Sequence, residues 1–460
     1  MRERIRLKQV PAPQKDSVCP VLLSDETMLE RKEKLLSGMR KHGFDQLIIY
    51  NDVEHCGNFM YLTGFFTRFE EGLLVLNQSG SASLVLGNEN LNKCAKSRIP
   101  ARGVHCSLFS LPNQPNREDC TLVEILREAG VAPGKKVGLV GWKMFTSRIE
   151  NSAGLFDIPS YIVDAVRQIV GDEGMIVNAA ALFIGEGGAR TTNNANEIAQ
   201  YEYGAALASD CMLDAMDRLD VGVSELELGD ALVRNGQHTS VVTIAASGPR
   251  FVKANMFPTA NCVKTGDPIS LTVGYAGGLS SRTGYAVLDQ TQLPAGAEDY
   301  LGAVAIPYFR AYAAWLENIR IGMKGGELYR LVDEVLPRSK YGWGLCPGHL
   351  VAEEEWLCSP LYENSQEKLR SGMIFQIDII PSVPGYAGTG AESTVVLADK
   401  ELRAQIRQQY PEIYERMMQR AGYIRSVLGI DLPEEVLPMC STVGYMRPYL
   451  LDHASALVCE

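Results

Sequence analysis

Three short segments in the second half of the chain each combine a glycine with a side chain that can carry a proton. They read PGH at 347–349, GMIFQID at 372–378 and GAESTV at 390–395, and they contain His349, Asp378 and Glu392. Histidine is the natural base near neutral pH, and two flanking carboxylates would raise its pKa. If the fold brings them together, these three residues could cycle a proton while a bond is cleaved.

The segment ahead of them, residues 268–288, contains no acid. It reads PISLTVGYAGGLSSRTGYAVL and has no Asp, Glu or His. Divalent metals that prefer oxygen ligands need several carboxylates, and a dinuclear centre needs bridging ones. This segment instead offers the hydroxyls of Thr272, Ser281 and Thr283 and the guanidinium of Arg282.

The order of these segments resembles the C-terminal domain of the creatinase/prolidase/methionine-aminopeptidase family, which has the pita-bread fold. In its metallopeptidase members, two Asp on a first hairpin and a later His, Glu and Glu hold two divalent metals. The resemblance places His349, Asp378 and Glu392 at the last three positions, with Asp378 where Glu is usual. It places Thr272 and Leu279 at the first two, so both hairpin acids are missing.

A second departure concerns the family histidine that assists proton transfer in a Pro-His-x-x-Pro-Thr phrase. The matching residues 254–259 read ANMFPT, so Asn255 takes that place, and an amide cannot carry a proton near neutral pH. Creatinase, the metal-free member, has an acid immediately before the hairpin Arg, whereas Ser281 precedes Arg282 here. The chain therefore departs from the metallopeptidases and from creatinase.

The resemblance implies a catalytic set of His349, Asp378 and Glu392, with no metal ligands. The predicted substrate-binding residues are Arg282, Asn255, Thr272, Ser281 and Thr283.

Three features of the sequence each allow two interpretations. Arg282 either binds a substrate carboxylate or is a buried partner of one of the two acids. The acidic run at 353–355 is either a solvated turn or supplies one acid to the pocket, where it would bind a cationic ligand. Cys346 is either a packed thiol or, if it lies close to His349, a nucleophile.

We expect a metal-independent, creatinase-like hydrolase that acts on a C–N bond of a small amidine, amide or cyclic amino-acid derivative, without a cofactor. One alternative is an Xaa-Pro peptidase-like metallohydrolase with a degenerate site that holds a single divalent metal. Another is a catalytically inactive homologue that binds a small molecule. The family also implies a homodimer.

Composition narrows the partners and the compartment. The chain has 460 residues and a net charge of -11, which argues against a nucleic-acid or anionic-membrane surface. No apolar run follows the basic start, and none is long enough to span a bilayer. The 11 cysteines include no C-x-x-C pair, which favours free thiols in a reducing compartment. We therefore predict a cytoplasmic protein.

Hydrophobic periodicity predicts two domains, an α/β creatinase-like N-terminal domain and an α+β pita-bread C-terminal domain. In the first, the pattern predicts a helix at 29–42, a strand at 45–50, and a hairpin of 72–76 with 82–86. The order of these elements around Tyr61-Leu62-Thr63-Gly64 resembles the N-terminal domain of the creatinase/prolidase group. The predicted boundaries give an arm at 1–25 and domains at 26–185 and 186–400, followed by a tail at 401–460.

The second domain should begin with a helix from 196 to about 219, whose positions 205, 208, 212 and 216 form a core-facing stripe. Ser224 and Glu227 form a capping box for the next helix. For the tail, the pattern predicts one amphipathic helix at 404–428 and a mostly irregular end.

Overall fold

The computed structural model describes residues 5–16, 18–116, 119–252 and 257–460, so the predicted site residue Asn255 lies outside the described residues. The chain divides into two units, one of Leu23–Thr191 and one of Met1–Leu22 with Thr192–Glu460. The sequence places the boundary six residues earlier, after residue 185. None of the helices in the described ranges combines the length and the hydropathy that a bilayer crossing requires.

The smaller unit is built on a six-stranded mixed sheet. Its strands are rich in Leu, Ile and Val and are buried, which is typical of a sheet covered by helices. The first strand of the chain, β1 Ile5–Gln9, belongs to the larger unit. The strands of the smaller unit are β2 Gln46–Asn51, β3 Gly72–Asn77, β4 Ala82–Leu86, β5 Arg102–His105, β6 Lys136–Val140 and β7 Met175–Asn178. They lie in the sheet in the order β5-β4-β3-β2-β6-β7. Its helices are α1 Asp25–His42, α2 Gly57–Thr63, α3 Leu122–Glu128, α4 Ser160–Val170 and α5 Ala181–Ile184.

Local sequence signals fix several of these bounds. Helix α1 begins four residues before its predicted start, because Ser24 caps it by accepting a hydrogen bond from the backbone N–H of Thr27. It ends at Gly43, whose φ of 67° lies in the left-handed region that glycine adopts at little cost. The predicted hairpin is confirmed as the antiparallel pair of β3 and β4.

The larger unit contains an antiparallel seven-stranded sheet, in the order β11-β12-β13-β10-β9-β8 with β14 also paired to β13. These strands are β8 Ile244–Ser247, β9 Pro268–Tyr275, β10 Gly278–Tyr285, β11 His349–Leu350, β12 Ile374–Ile377, β13 Gly390–Leu397 and β14 Val436–Pro438; the final strand is β15 Ser455–Cys459. Its helices are α6 Ala195–Arg218, α7 Glu225–Leu232, α8 Pro249–Val252, α9 Ile306–Asn318, α10 Gly325–Val335, α11 Arg338–Tyr341, α12 Lys400–Gln409 and α13 Pro411–Ser426.

Helix α6 supports the hairpin of β9 and β10. Its predicted apolar stripe is buried, and capping boxes at Asn194 and at Ser224 start α6 and α7. A Cβ placed on Gly204 would lie 2.0 Å from the carbonyl oxygen of Ala276, and one on Gly278 would lie 2.7 Å from the Cβ of Ala205. Glycine at both positions therefore allows the hairpin turn to lie directly on the helix.

The tail differs from its prediction in two ways. One long helix was expected, but the chain forms α12 and α13, because Pro411 removes a backbone N–H and restricts Tyr410 to φ −135° and ψ 62°. The end is mostly irregular as predicted, but it also contains two short strands that were not predicted: β14 joins the large sheet, and β15 pairs with β1 at the other end of the chain. The extended arm is held further by Asp16, whose carboxylate accepts from Arg420.

Candidate functional site

Strand register places most of the predicted site residues on one face of the large sheet. His349 pairs with Gln376, and Gln376 pairs with Thr394, two positions along β13 from Glu392. Glu392 pairs with Ser281, which in turn pairs with Thr272. Because side chains of paired residues project from the same face, these six side chains share one side of the sheet.

His349 lies at the centre of this face and is completely buried. Its Nδ1 lies 3.1 Å from the carbonyl oxygen of Leu350, which fixes the proton on Nδ1 and leaves Nε2 for chemistry. The ring stacks on Trp356, with centroids 4.3 Å apart and planes inclined by 25°. This packing orients Nε2 toward the acids of the site.

Two carboxylates face Nε2 of His349. Glu355 Oε1 lies 3.0 Å away and Asp378 Oδ2 lies 3.8 Å away, and neither is aligned as a hydrogen-bond acceptor. Burial alone would lower the pKa of His349, but the two negative charges outweigh it and raise that pKa above its ordinary value. The two carboxylates therefore favour the protonated form of the ring.

Glu355 decides between the two interpretations of the acidic run. Its side chain is 20% exposed and contacts His349, so this acid faces the site and does not belong to a solvated turn. Its partner in the structure is Nε2 of His349. Sequence reasoning left Glu355 open because only the path of the loop after β11 determines which of three consecutive acids turns inward.

Asp378 and Glu392 form a pair of neighbouring acids. Asp378 follows β12 one position beyond the Ile377–Ser393 pair, which places it beside Glu392. Burial raises the pKa of Asp378 to about 6, with Glu355 adding to the shift and His349 opposing it. Desolvation and the charges of Asp378 and Glu355 raise the pKa of Glu392 well above its usual range. The pair therefore retains a proton to a higher pH than two isolated carboxylic acids would.

Two buried polar atoms of the site, one on Asp378 and one on His349, have no aligned hydrogen-bond partner within the protein. Asp378 is 4% exposed, and its Oδ1 has no hydrogen-bond partner, while Nε2 of His349 has no aligned one. A buried polar atom without a partner costs about 1–3 kcal/mol, so such atoms are rare unless a ligand or water completes them. Both atoms are therefore available to a polar group or a water at this face of the sheet.

The shifted acids predict a pH-dependent stability. Asp378 binds a proton more tightly in the folded chain than in the unfolded chain, where its pKa is near 3.8, so its contribution to folding is lost as pH rises through about 6. His349, whose pKa is also raised, acts in the same direction. We expect Asp378→Asn to gain about 2–3 kcal/mol of unfolding free energy relative to the wild type between about pH 4 and 7.

Thermal unfolding midpoints of both proteins across this range would measure the effect. Asp172→Asn, in an exposed loop of the smaller unit, is the matched control and should track the wild type. A constant difference between Asp378→Asn and the wild type at every pH would contradict the raised pKa.

The hydroxyls of the hairpin form the floor of the site. Thr272 Oγ1 donates to Ser281 Oγ at 2.9 Å, and both residues are buried. Thr283, two positions beyond Ser281, shares their face, and its Oγ1 has no hydrogen-bond partner. The predicted substrate-binding residues Thr272, Ser281 and Thr283 are therefore brought together with the predicted catalytic residues.

Arg282 does not belong to this set. It alternates with its neighbours onto the opposite face of the sheet, where it is 1% exposed. All five of its N–H groups are donated within the protein, to the carbonyl oxygens of Ser281, Glu392, Thr442 and Tyr445 and to Ser393 Oγ. The prediction that Arg282 binds a substrate carboxylate does not fit this position. Its contacts fit a structural role, in which the guanidinium binds the backbone carbonyl of Glu392 and not its carboxylate.

Gln376 is a residue of the site that sequence reasoning missed. It is fully buried, its Oε1 accepts from Thr394 Oγ1 at 2.7 Å, and its Nε2 donates to the carbonyl oxygen of Leu279 at 2.8 Å. Gln376 therefore ties β12 to the turn end of β10 and holds the hydroxyl-bearing hairpin in place. A polar residue at an alternate position of an otherwise apolar strand was the available signal.

One buried acid, Glu225, joins described residues on both sides of the undescribed residues 253–256. The carboxylate of Glu225 accepts from Ser247 N at 2.9 Å and Arg250 Nε at 2.7 Å on one side of residues 253–256. On the other side it accepts from Thr259 N at 3.0 Å and Oγ1 at 2.8 Å. Glu225 thus links Ser247 and Arg250 to Thr259.

Cys346 has the character of a packed thiol. Burial raises its pKa, and the charge of Asp378 raises it further, while a hydrogen bond with Ser359 lowers it. A nucleophilic cysteine needs a lowered pKa, so the environment of Cys346 disfavours the thiolate.

The donor set does not fit a dinuclear metal centre. The hairpin positions hold Thr272 and Ser281, bonded to each other, and the buried side chain of Leu279. In the part of the chain that the structure describes, no three His, Cys, Asp or Glu side chains are arranged so that they could hold a metal ion. Two of the remaining acids, Glu355 and Asp378, lie beside Nε2 of His349 instead.

Comparison with known proteins identifies the architecture. Residues 199–399 match the family model described as Metallopeptidase family M24. Among curated proteins, no sequence matches the chain significantly.

Solved structures of similar fold cover most of the chain. An Xaa-Pro dipeptidase from Bacillus anthracis has a TM-score of 0.60 at 18% identity, covering 81% of this chain and 96% of its own. The prolidase from Pyrococcus horikoshii OT3 has a TM-score of 0.60 at 18% identity, with 80% and 95% covered. An X-Pro aminopeptidase from Thermotoga maritima MSB8 has a TM-score of 0.58 at 16% identity, with 80% and 95% covered. The predicted classes, an α/β first domain and a pita-bread second domain, are confirmed.

Proposed function

Residues 199–399 belong to metallopeptidase family M24, a family of hydrolases, and from this premise we propose that the chain hydrolyses a C–N bond without a dinuclear metal centre. The substrate class is a small amidine, amide or cyclic amino-acid derivative. The observation that carries the proposal is the pairing of His349 with Glu355 and Asp378, on a face where the hairpin offers hydroxyls in place of acids.

The chemistry follows from where protons are held. Hydrolysis forms a C–O bond from water and breaks the C–N bond, so one proton must leave the water and one must reach the nitrogen. The imidazolium of His349 donates its Nε2 proton to the leaving nitrogen and recovers a proton from the attacking water. Glu355 and Asp378 stabilise the charged ring throughout this cycle.

The acids and hydroxyls bind the substrate. The protonated member of the Asp378–Glu392 pair donates a hydrogen bond, and the ionised member accepts an N–H or a cationic group. Thr272, Ser281 and Thr283 supply neutral contacts, and Asn255 is proposed from the sequence alone as a further one. From the family resemblance we also propose a homodimer that acts in the cytoplasm.

A second candidate is an Xaa-Pro peptidase that works with a single divalent metal. The names of the similar structures, a prolidase, a dipeptidase and an aminopeptidase that act on Xaa-Pro substrates, favour it. Against it stands the donor set, because Glu355 occupies the approach to Nε2 of His349.

The test compares protein stripped with a chelator against the same protein supplied with Mn²⁺ or Zn²⁺. Guanidino, lactam and betaine compounds and Xaa-Pro dipeptides are screened by thermal shift, and those that bind are assayed for amine release. We expect turnover of one C–N substrate at the same rate in both preparations. Turnover of Xaa-Pro dipeptides only after metal addition would contradict the proposal, and saturable binding without turnover would identify an inactive binding homologue.

A further inference from the structure

The smaller unit contains an open cleft of about 650 Å³ that is independent of the site described above. Its walls come from residues that follow β2 and β5, precede β3 and begin α4. Strands β2, β4, β5, β6 and β7 run in one direction, so the cleft lies at the carboxyl edge of this α/β sheet. In α/β folds, that edge is where small molecules bind.

Aromatic and apolar side chains form much of the cleft. Tyr50 and Tyr161 line it, together with Phe69 and Leu108, which are 77% and 45% exposed. Phe69 has a φ of 73°, a left-handed conformation that a residue with a Cβ rarely adopts. The backbone therefore holds an exposed ring at the rim, where it can cover the apolar part of a ligand.

The charge on the walls has one sign. The lining residues include Asp52, Glu70 and Glu71 and neither Lys nor Arg. Nδ1 of His55 lies 2.9 Å from both carboxylate oxygens of Asp52, so a protonated His55 would compensate one of the three negative charges on the walls. Glu70 is fixed by the backbone N–H of Glu89 at 3.0 Å, which leaves Glu71 as the acid best placed to bind a ligand.

The tyrosine hydroxyls orient these acids. Tyr50 donates to Asp52 Oδ2 at 3.2 Å, and Tyr161 donates to Glu71 Oε1 at 3.2 Å. Burial and the adjacent carboxylates raise the pKa of both tyrosines, so their rings stay neutral. Neutral aromatic faces beside fixed carboxylates are the surroundings that organic cations prefer.

We propose that this cleft binds an organic cation, an ammonium or guanidinium group carried on an apolar body. The cationic group lies between Asp52 and Glu71, and the apolar body lies against the rings of Tyr161 and Phe69. The proposal does not depend on the reaction of the other unit.

The test uses a matched pair of probes on the full chain, phenethylammonium and neutral 2-phenylethanol, measured by calorimetry at about 0.15 M salt. We expect saturable binding of the cation, at least about tenfold tighter than that of the alcohol. Glu71→Gln should weaken the cation about tenfold without changing the thermal midpoint, and Tyr161→Phe should weaken it less. Equal affinity for the two probes would overturn the proposal.

Two further variants test whether the cation binds in this cleft and through its carboxylates. Glu173→Gln removes the same charge from an exposed loop at the opposite end of the sheet and should leave binding unchanged. Asp378→Asn, in the other unit, should also leave it unchanged. An equal loss of affinity in Glu173→Gln would indicate that the cation responds only to the net charge of the protein. A loss of affinity in Asp378→Asn but not in Glu71→Gln would indicate that the cation binds outside this cleft. Either result overturns the proposal.

Discussion

Replacing His349 with asparagine is expected to lower kcat/KM on a C–N substrate by about 10³-fold, because a positioned acid–base group contributes about 10²–10⁴-fold. Asparagine can still donate to the carbonyl oxygen of Leu350 and pack against Trp356, but it cannot carry the proton that Nε2 carries. The loss should appear in kcat rather than in KM. Steady-state amine release by both proteins measures it.

Two controls separate catalysis from folding. His42→Asn changes an exposed histidine at the end of α1 and should leave the rate unchanged. Glu355→Gln keeps His349 but removes its nearest negative charge, so the pKa of His349 should fall and the alkaline limb that it contributes to the rate profile should move to lower pH. Activity of His349→Asn within a few-fold of the wild type would remove His349 from the mechanism.

Replacing Arg282 with lysine is expected to lower the unfolding free energy by about 3 kcal/mol. Lysine has three donors on a single nitrogen and cannot reproduce the fork that binds four carbonyl oxygens and Ser393, so several buried acceptors lose their partners. Thermal unfolding midpoints would measure this loss of stability. The face of the sheet that carries His349 should be unchanged, because Arg282 lies on the opposite face.

Arg330→Lys makes the same exchange at an exposed position of α10 and should be neutral. A raised KM for a carboxylate-bearing substrate in Arg282→Lys, with the midpoint unchanged, would restore the substrate-binding role that the strand geometry argues against.

The pattern of the hairpin contained more information than its residue types alone. Side chains alternate along a strand, so if Ser281 and Thr283 face the site, Arg282 between them must face away. Sequence reasoning grouped all three by chemistry and overlooked this period of two. The shared face of His349 and Glu392 was predictable only through the family resemblance, because their neighbourhood arises from pairing across strands that are far apart in the chain.

Other features of the fold divide in the same way into those that local sequence predicts and those that depend on distant parts of the chain. The break at Pro411 was predictable from the proline itself. The pairing of β1 with β15 was not, because neither segment carries a signal for a partner more than 400 residues away. Glu355 belongs to the second kind, since a loop conformation and not a pattern brings it to His349.

The most direct test of the central claim is the metal content of protein purified without chelator, followed by calorimetric titration of the same sample with Mn²⁺, Co²⁺ and Zn²⁺. A site built from His349, Glu355, Asp378 and Glu392 with hydroxyls on the hairpin predicts no stoichiometric metal, no saturable heat and a hydrolysis rate unaffected by chelation. One or two equivalents of bound metal, lost together with activity on chelation and lost again in His349→Asn, would contradict it.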